Sequence, residues 1–290
     1  MATLDLRPLS LGELLDRTFF LYRRNFLLFC GLAAIPYLIL IILVLGVVLL
    51  GAVAGGVSPV GRSGLHPTGA VISVIGGGIF VTILVFLISA GATVLAVSEI
   101  YAGRRATIRN SLRLVRGKVL TICVVALLSF LILIAGSIAL IIPGIYLACR
   151  ISVAVAAALV ESTGPVESIR RSFVLTANFA GRAFMIYLLS AAIAWGVSLV
   201  FKIPFLLLSA VSLKQPQLVI LWTILLQVGS LFGNVVVAPV STIGTAIYYY
   251  DLRVRKEAFD LQMMMQAIGG PPVPPAITGG VPSMFGRDAS

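Results

Sequence analysis

Six long apolar runs dominate the sequence, and they restrict the chain to a few kinds of fold. The hydrocarbon core of a bilayer is about 30 Å thick, so a spanning helix needs about 20 apolar residues. The runs cover approximately residues 26–50, 70–98, 119–142, 145–160, 183–201 and 218–250. Inside lipid only a helix or a closed barrel satisfies its own backbone hydrogen bonds. The sequence therefore predicts an all-α polytopic integral membrane protein with six transmembrane helices.

The composition excludes the other broad classes of protein. Of the 290 residues, 60% are hydrophobic and 11% are charged, against about 25% charged in an average soluble domain. Such a chain has too little polar surface for a soluble domain, a disordered chain or a secreted disulfide scaffold. The three cysteines, Cys30, Cys123 and Cys149, lie within apolar runs without metal-ligand spacing. We interpret them as packing residues.

Prolines and glycines divide the apolar runs. Pro143 and Gly144 predict a tight turn between the third and fourth spans. The sixth run exceeds one perpendicular crossing, which predicts a tilt or a kink near Pro239. The sequence leaves open whether residues 202–214 form a loop or continue the fifth helix. Residues 1–262 are predicted to form a single transmembrane domain, and the Gly- and Pro-rich residues 263–290 a flexible cytoplasmic tail.

The distribution of Lys and Arg predicts the orientation of the chain. With six spans, 17 of the 21 Lys and Arg fall on one side, three fall on the other, and Arg150 lies within a span. Positive loops stay in the cytoplasm, so both termini are predicted to be cytoplasmic. The three on the opposite side are Arg62, Lys202 and Lys214. The 17 are Arg7, Arg17, Arg23, Arg24, Arg104, Arg105, Arg109, Arg113, Arg116, Lys118, Arg170, Arg171, Arg182, Arg253, Arg255, Lys256 and Arg287.

Three amphipathic segments precede the odd-numbered spans. Residues 10–25 begin with Ser10 and Glu13, a capping-box pattern, and continue with apolar residues at helical spacing. Residues 107–118 and the segment that opens with Gly164-Pro165 show the same arrangement. Such helices are predicted to lie in the membrane interface with their apolar sides at the acyl boundary.

These segments also resemble one another. Residues 13–21 can be aligned with residues 167–175, and residues 107–118 fit the same frame more loosely. The chain then contains three units, each an interfacial helix followed by a transmembrane hairpin. The alternative is that any basic amphipathic helix before a span looks alike.

The basic faces of these helices are candidates for binding anionic lipid headgroups, at roughly 1 kcal/mol per charge near the surface. The alternative is that these charges serve only to set the topology. No nucleic-acid-binding fold is recognisable, so nucleic acid is not a predicted partner. The candidate lipid contacts are Arg23, Arg24, Arg109, Arg113, Arg116, Arg170 and Arg171.

The sequence contains no recognisable catalytic set. It has one histidine, no Gly-x-Ser-x-Gly motif and no cluster of His, Cys, Asp or Glu at metal-ligand spacing. We therefore predict a protein that is not an enzyme, with no catalytic residue, cofactor or metal.

Two polar features within the spans are candidates for an intramembrane site. Arg150 lies in the fourth span, where a charge is costly and often functional; alternatively it reaches the surface or a backbone carbonyl. Thr223, Gln227, Ser230 and Asn234 recur every three or four residues and form a polar stripe along the sixth span. Hydrogen bonding between helices explains such a stripe, and a wetted ligand site is the alternative. If Arg150 faced the stripe, the two would form one site near the outer leaflet.

Four motifs carry a resemblance to a known family. They are residues 6–17 continuing to 21–26, residues 143–147 with Arg150, residues 169–176, and residues 249–261. Together they resemble the membrane domain of bacterial glycerophosphoryl diester phosphodiesterase, a grouping that includes six-span inner-membrane proteins. The resemblance implies a membrane part without the separate catalytic barrel, whose histidines, carboxylates and metal are missing from this sequence.

These observations predict a non-catalytic structural, regulatory or partner-anchoring module of the membrane. Its predicted partners are a bilayer with anionic headgroups and a membrane or cytoplasmic protein. The alternative function is a transporter or channel for a small polar or lipidic solute, which the repeat architecture favours. A lipid-modifying enzyme is a third alternative, which lacks an acid–base set.

Overall fold

The computed structural model describes residues 9–56, 67–212 and 216–257, and every regular element in those ranges is a helix, as predicted. Six helical segments are long and apolar enough to cross a membrane, so this is a multi-pass membrane protein. The predicted tail, Thr223's side chain and Lys214 lie outside what is described. The helices are α1 (Leu11–Arg24), α2 (Phe26–Gly56), α3 (Pro67–Tyr101), α4 (Ile108–Arg116), α5 (Val119–Ala139), α6 (Ile141–Ile151), α7 (Ala154–Val160), α8 (Pro165–Leu175), α9 (Ala180–Val211) and α10 (Pro216–Glu257).

The order of helices repeats three times as one short helix followed by a long hairpin. The short helices are α1, α4 and α8, and the hairpins are α2–α3, α5–α6/α7 and α9–α10. Each short helix buries a pair of side chains four residues apart: Leu14 and Thr18, Ser111 and Val115, and Ser168 and Ser172. The alignment of residues 13–21 with 167–175 places the first and third pairs in register. This arrangement supports the three-unit repeat.

The predicted turn at Pro143 and Gly144 is wrong. The extended residue is Leu140 (φ −172°, ψ 154°), and α6 begins at Ile141. Pro143 fits the first turn of a helix, where its missing N–H would have no intrahelical partner. Gly144 instead lets the two arms of the hairpin approach each other, because a Cβ there would lie 3.2 Å from the Cα of Ser137 in α5.

The fourth span is not one continuous helix. It breaks at Ser152 and Val153, between α6 and α7. The backbone carbonyl of Arg150, just before the break, accepts hydrogen bonds from Ser172 Oγ (2.7 Å) and Thr176 Oγ1 (3.1 Å) at the end of α8. Side chains of a neighbouring helix thus satisfy a carbonyl that the break deprives of its regular partner.

Helices α9 and α10 are longer than the apolar runs predict. Helix α9 continues through Lys202 and Pro204 to Val211, so at least residues 202–211 are helical rather than a loop. Helix α10 runs for 42 residues, with Pro239 inside it.

Each short helix packs one side on protein. Other apolar side chains of these helices, among them Phe20, Leu114 and Val166, are exposed, so their place at the acyl boundary stays a prediction. Leu14 of α1 is completely buried and α1 contacts α10. The predicted capping box is confirmed: Glu13 N–H donates to Ser10 Oγ (3.2 Å) and Ser10 N–H donates to the Glu13 carboxylate (2.7 Å). Helix α8 begins at Gly164-Pro165 as predicted.

Buried side chains concentrate at one end of the bundle. We call this the charged end; it contains α1, α4, α8 and the last turns of α10. The opposite parts of the spans, residues 38–46, 76–88, 127–146, 187–211 and 218–236, form the far half and are largely exposed. There α10 turns Gly229 and Gly233 towards Phe201 and Phe205 of α9. The exposed residues of α10 in this half include Leu221, Ile224, Gln227, Val228, Phe232 and Asn234. In the far half the third hairpin therefore packs mainly on itself.

Candidate functional site

The last turns of α10, residues 248–257, lie at the centre of the charged end. Three consecutive tyrosines project to different sides of the helix. Tyr248 donates its hydroxyl hydrogen to the Phe179 carbonyl (2.8 Å), at the start of α9. Tyr249 donates to the Glu161 carboxylate (2.7 Å), after α7. Tyr250 stacks on Tyr101 at the end of α3, with ring centroids 4.9 Å apart. One segment thus fastens all three hairpins to one another.

Asp251 forms the first ion cluster, which we call the Asp251 cluster. Its carboxylate is buried and accepts from the Leu9 backbone N–H (2.8 Å), Arg182 (2.9 Å) and Arg255 (3.0 Å). Both arginines also donate to the Leu9 carbonyl, Arg255 at 2.6 Å. The segment before α1 is therefore held by both of its Leu9 backbone groups. A buried charge with this many partners is stable only while all of them remain.

A second group, the Glu161 cluster, lies between α7, α8 and α10. Arg171 donates to both Glu161 carboxylate oxygens (3.2 and 3.0 Å) and also pairs with Glu257. Arg253 donates to Glu257 (3.0 Å) and lies 3.8 Å from Glu161. Two acids and two arginines balance in charge. Together the two clusters form a network of charge-assisted hydrogen bonds, which are stronger than neutral ones.

Arg150 belongs to the charged end and not to the polar stripe. Its guanidinium carbon lies 5.2 Å from the Phe173 ring centroid of α8, and Lys256 of α10 donates to the carbonyl of the next residue, Val174. Asn234 is 22 residues before Lys256, which corresponds to roughly 33 Å along a helix. The structure therefore does not bring Arg150 and the stripe together into one site.

The stripe residues whose side chains are described lie in the far half of α10. Gln227 and Asn234 are exposed and Ser230 is half-buried. Among the residues that the structure describes, neither Gln227 nor Asn234 bonds to another helix, so hydrogen bonding between described helices does not account for these two amides. The amides face away from α9, where lipid or another molecule meets them.

Six of the seven candidate lipid contacts are exposed at the charged end. Arg171 is the exception, because Glu161 and Glu257 occupy its guanidinium. The exposed six are Arg23, Arg24, Arg109, Arg113, Arg116 and Arg170.

A small pocket lies between α2, α3 and α10 near the middle of the spans. It has a volume of about 60 Å³ and is lined in part by Pro36, Pro239, Thr93 and Thr242. A water needs about 10–15 Å³ of such space, so the pocket has room for a few.

Each proline beside the pocket removes a backbone N–H from its helix. Pro36 deprives the Leu32 carbonyl of its donor, and Ser89 of α3 replaces it at 2.7 Å. Near Pro239, the Val236 carbonyl accepts from the Tyr22 hydroxyl of α1 at 2.6 Å. Burial raises the pKa of Tyr22 above its ordinary value, so this hydroxyl keeps its proton and can donate.

The chemistry that these groups support is mainly electrostatic. Asp251, Glu161 and Glu257 are each bonded to arginine. In the described ranges, no group of three or more His, Cys, Asp or Glu side chains is placed to hold a metal ion. The charged end is therefore arranged to fasten helices together.

Sequence reasoning did not identify the α10 segment as the centre of the charged end. A signal was present: three tyrosines, an aspartate and three cations follow an apolar span directly. Their partners could not be deduced, because Leu9 and Asp251 are 242 residues apart. Comparisons with protein-family models, curated proteins and solved structures find no match for this chain.

Proposed function

We propose that this protein is a non-catalytic membrane module that anchors or regulates a partner protein in the bilayer. The proposal rests on one contrast: the carboxylates of the charged end are paired within the protein, whereas the far half has exposed amide side chains. Ion pairs occupy the carboxylates of the Asp251 and Glu161 clusters. Meanwhile Gln227 and Asn234 offer amides at the depth of the hydrocarbon. Such amides favour contact with a polar group of another membrane helix.

The proposal includes the setting of the protein. We place it in a bacterial inner membrane with both termini in the cytoplasm, which is supported by the 17 cations on one side. The exposed arginines of α1, α4 and α8 would then contact anionic headgroups. The sequence motifs support membership of the glycerophosphoryl diester phosphodiesterase membrane-domain family without the diesterase activity.

Photo-crosslinking in living cells tests the partner. A photoreactive residue at Gln227 or Asn234 should give a discrete protein adduct. The same residue at Phe130, an exposed far-half position on α5, serves as the matched control and should give lipid adducts only. Lipid adducts alone at all three positions would contradict the anchoring role.

Cysteine labelling tests the orientation. A single cysteine at Arg109 in a cysteine-free background should react with a membrane-impermeant thiol reagent only after the membrane is opened. A cysteine at Arg62 should react in intact cells. The reverse pattern would contradict the proposed orientation.

The second candidate is a transporter or channel for a small polar or lipidic solute. It is favoured by the pocket between Pro36 and Pro239, since interrupted helices near the midplane are common in transporters. Proteoliposomes that swell in glycerol faster than protein-free ones, with the effect lost in Thr242→Leu, would establish this function. Equal swelling would favour the anchoring module.

A further inference from the structure

Arg150 and Lys256 lie at the charged end but belong to neither ion cluster. Arg171, Arg182, Arg253 and Arg255 each pair with an acid. Arg150 instead lies over the rings of Phe173 and Tyr146, at 5.2 and 5.9 Å. Its Nε is buried and has no hydrogen-bond partner. Among the described residues no carboxylate pairs with its guanidinium.

Lys256 is the second of these cations, and it meets the same end of α8. Its Nζ donates to the Val174 carbonyl, while the Arg150 backbone bonds Ser172 and Thr176. Lys256 is exposed. It bonds the residue that follows Phe173, over whose ring the Arg150 guanidinium lies. Two like charges are thus held together beside the last turn of one helix.

The helix end only partly balances these charges. The carbonyl end of a helix carries roughly half a negative charge, against two full positive charges. A net charge of about +1.5 remains, so an anion is favoured between the cations. Arginine binds phosphate through paired N–H groups, and lysine adds a point charge.

The surroundings favour an anion that carries a hydrocarbon chain. Tyr146 is 55% exposed and Val174 is 47% exposed, and both lie beside the cations. Exposed apolar groups next to paired cations match a molecule that joins a phosphate to acyl chains. Aromatic side chains also favour the headgroup level of a membrane.

We propose that Arg150 and Lys256 together bind the phosphate of an anionic phospholipid at the end of α8. This site is separate from the exposed arginines of α1 and α4, and it does not depend on the anchoring role. The alternative ligand with the same chemistry is a soluble phosphate compound.

Native mass spectrometry of the detergent-purified full chain tests the site, with phosphatidylglycerol and phosphatidylcholine as probes. Arg150→Gln and Lys256→Gln should each weaken phosphatidylglycerol binding about fivefold, the change that roughly 1 kcal/mol per charge produces. Phosphatidylcholine binding should not change. Arg105→Gln removes an equal charge from an exposed position outside the site and should leave both unchanged. Lys256→Arg should retain binding.

The outcomes separate the sources of phosphate. Normal phosphatidylglycerol binding by folded Arg150→Gln and Lys256→Gln variants would overturn the proposal and leave these cations as a helix cap. Displacement of the lipid by millimolar inorganic phosphate or glycerol 3-phosphate would overturn the lipid assignment. If Arg150→Gln does not fold, phosphatidylglycerol binding by Lys256→Gln, a change at an exposed position, still tests the proposal. A failed crosslinking experiment at Gln227 would leave these results unaffected.

Discussion

The charged end and the far half contain parts of the same six spans, yet different forces hold them. In the charged end, Tyr248, Tyr249 and Leu252 are almost wholly buried and Asp251 is hydrogen-bonded on several sides. In the far half, the described side chains of α9 and α10 are mostly exposed or half-buried. Lipid tails are as apolar as these side chains. The side chains therefore gain little free energy by moving from lipid into a protein contact. Polar contacts therefore add to the buried apolar packing that holds the charged end together.

The largest effect is expected from Asp251→Asn. The change removes the counter-charge of Arg182 and Arg255 at a buried position, which typically costs about 3–5 kcal/mol. Unfolding in detergent, followed by circular dichroism, measures it. Asp16→Asn removes the same charge from an exposed position on α1 and should change stability by less than about 0.5 kcal/mol. Equal stability of the two variants would show that the charged end is not held by its ion pairs.

A smaller loss is expected from Gly144→Ala. The added Cβ would lie 2.6 Å from Ser137 Oγ and 3.2 Å from its Cα, which forces α5 and α6 apart at about 1–3 kcal/mol. Gly46→Ala is the control, because it meets nothing within 4 Å and should stabilise α2 slightly. The free energies of unfolding of both variants, measured in the same detergent, compare a substitution at a contact within a hairpin with one at an open surface. A stable Gly144→Ala would contradict the close approach.

Ser89→Ala should cost about 1 kcal/mol, because it leaves the Leu32 carbonyl without a donor inside the membrane. The Pro36→Ala background restores a backbone N–H for that carbonyl. There the same Ser89 change should cost less, so a double-mutant cycle in detergent unfolding measures the coupling. Additive effects would disprove the link between Ser89 and Pro36.

The smallest effect is expected from Gln227→Leu and Asn234→Leu. Both side chains are exposed in the far half, so stability of the purified protein should change by less than about 0.5 kcal/mol. A destabilisation above about 1 kcal/mol in unfolding would show that the far half has contacts of its own and would weaken the contrast with the charged end.

Much of the fold could be predicted because it follows from local patterns. Apolar runs of about 20 residues specify spans regardless of what surrounds them. Ser10 and Glu13 specify the start of α1, since a capping box satisfies its own donors. The turn at Leu140 was missed because proline is acceptable both in a turn and in the first turn of a helix.

Little of the candidate site could be predicted, because its contacts join distant parts of the chain. The period of α10 places Gln227 and Asn234 on one face, but periodicity alone does not reveal whether that face meets a helix or lipid. The hypothesis that Arg150 faces the stripe near the outer leaflet fails, because the rings of Tyr146 and Phe173 hold its guanidinium at the charged end. Only the folded chain brings Arg171 to Glu161 and Glu257.

The bond between Leu9 and Asp251 has a consequence for biosynthesis. The ribosome makes Leu9 242 residues before Asp251, and parts of a chain form in the order in which they emerge. Until α10 has entered the bilayer, Arg182 and the segment before α1 lack the carboxylate that they share. A nascent chain arrested before that point would present these groups to quality-control proteases. Synthesis of α10 would then complete the Asp251 cluster.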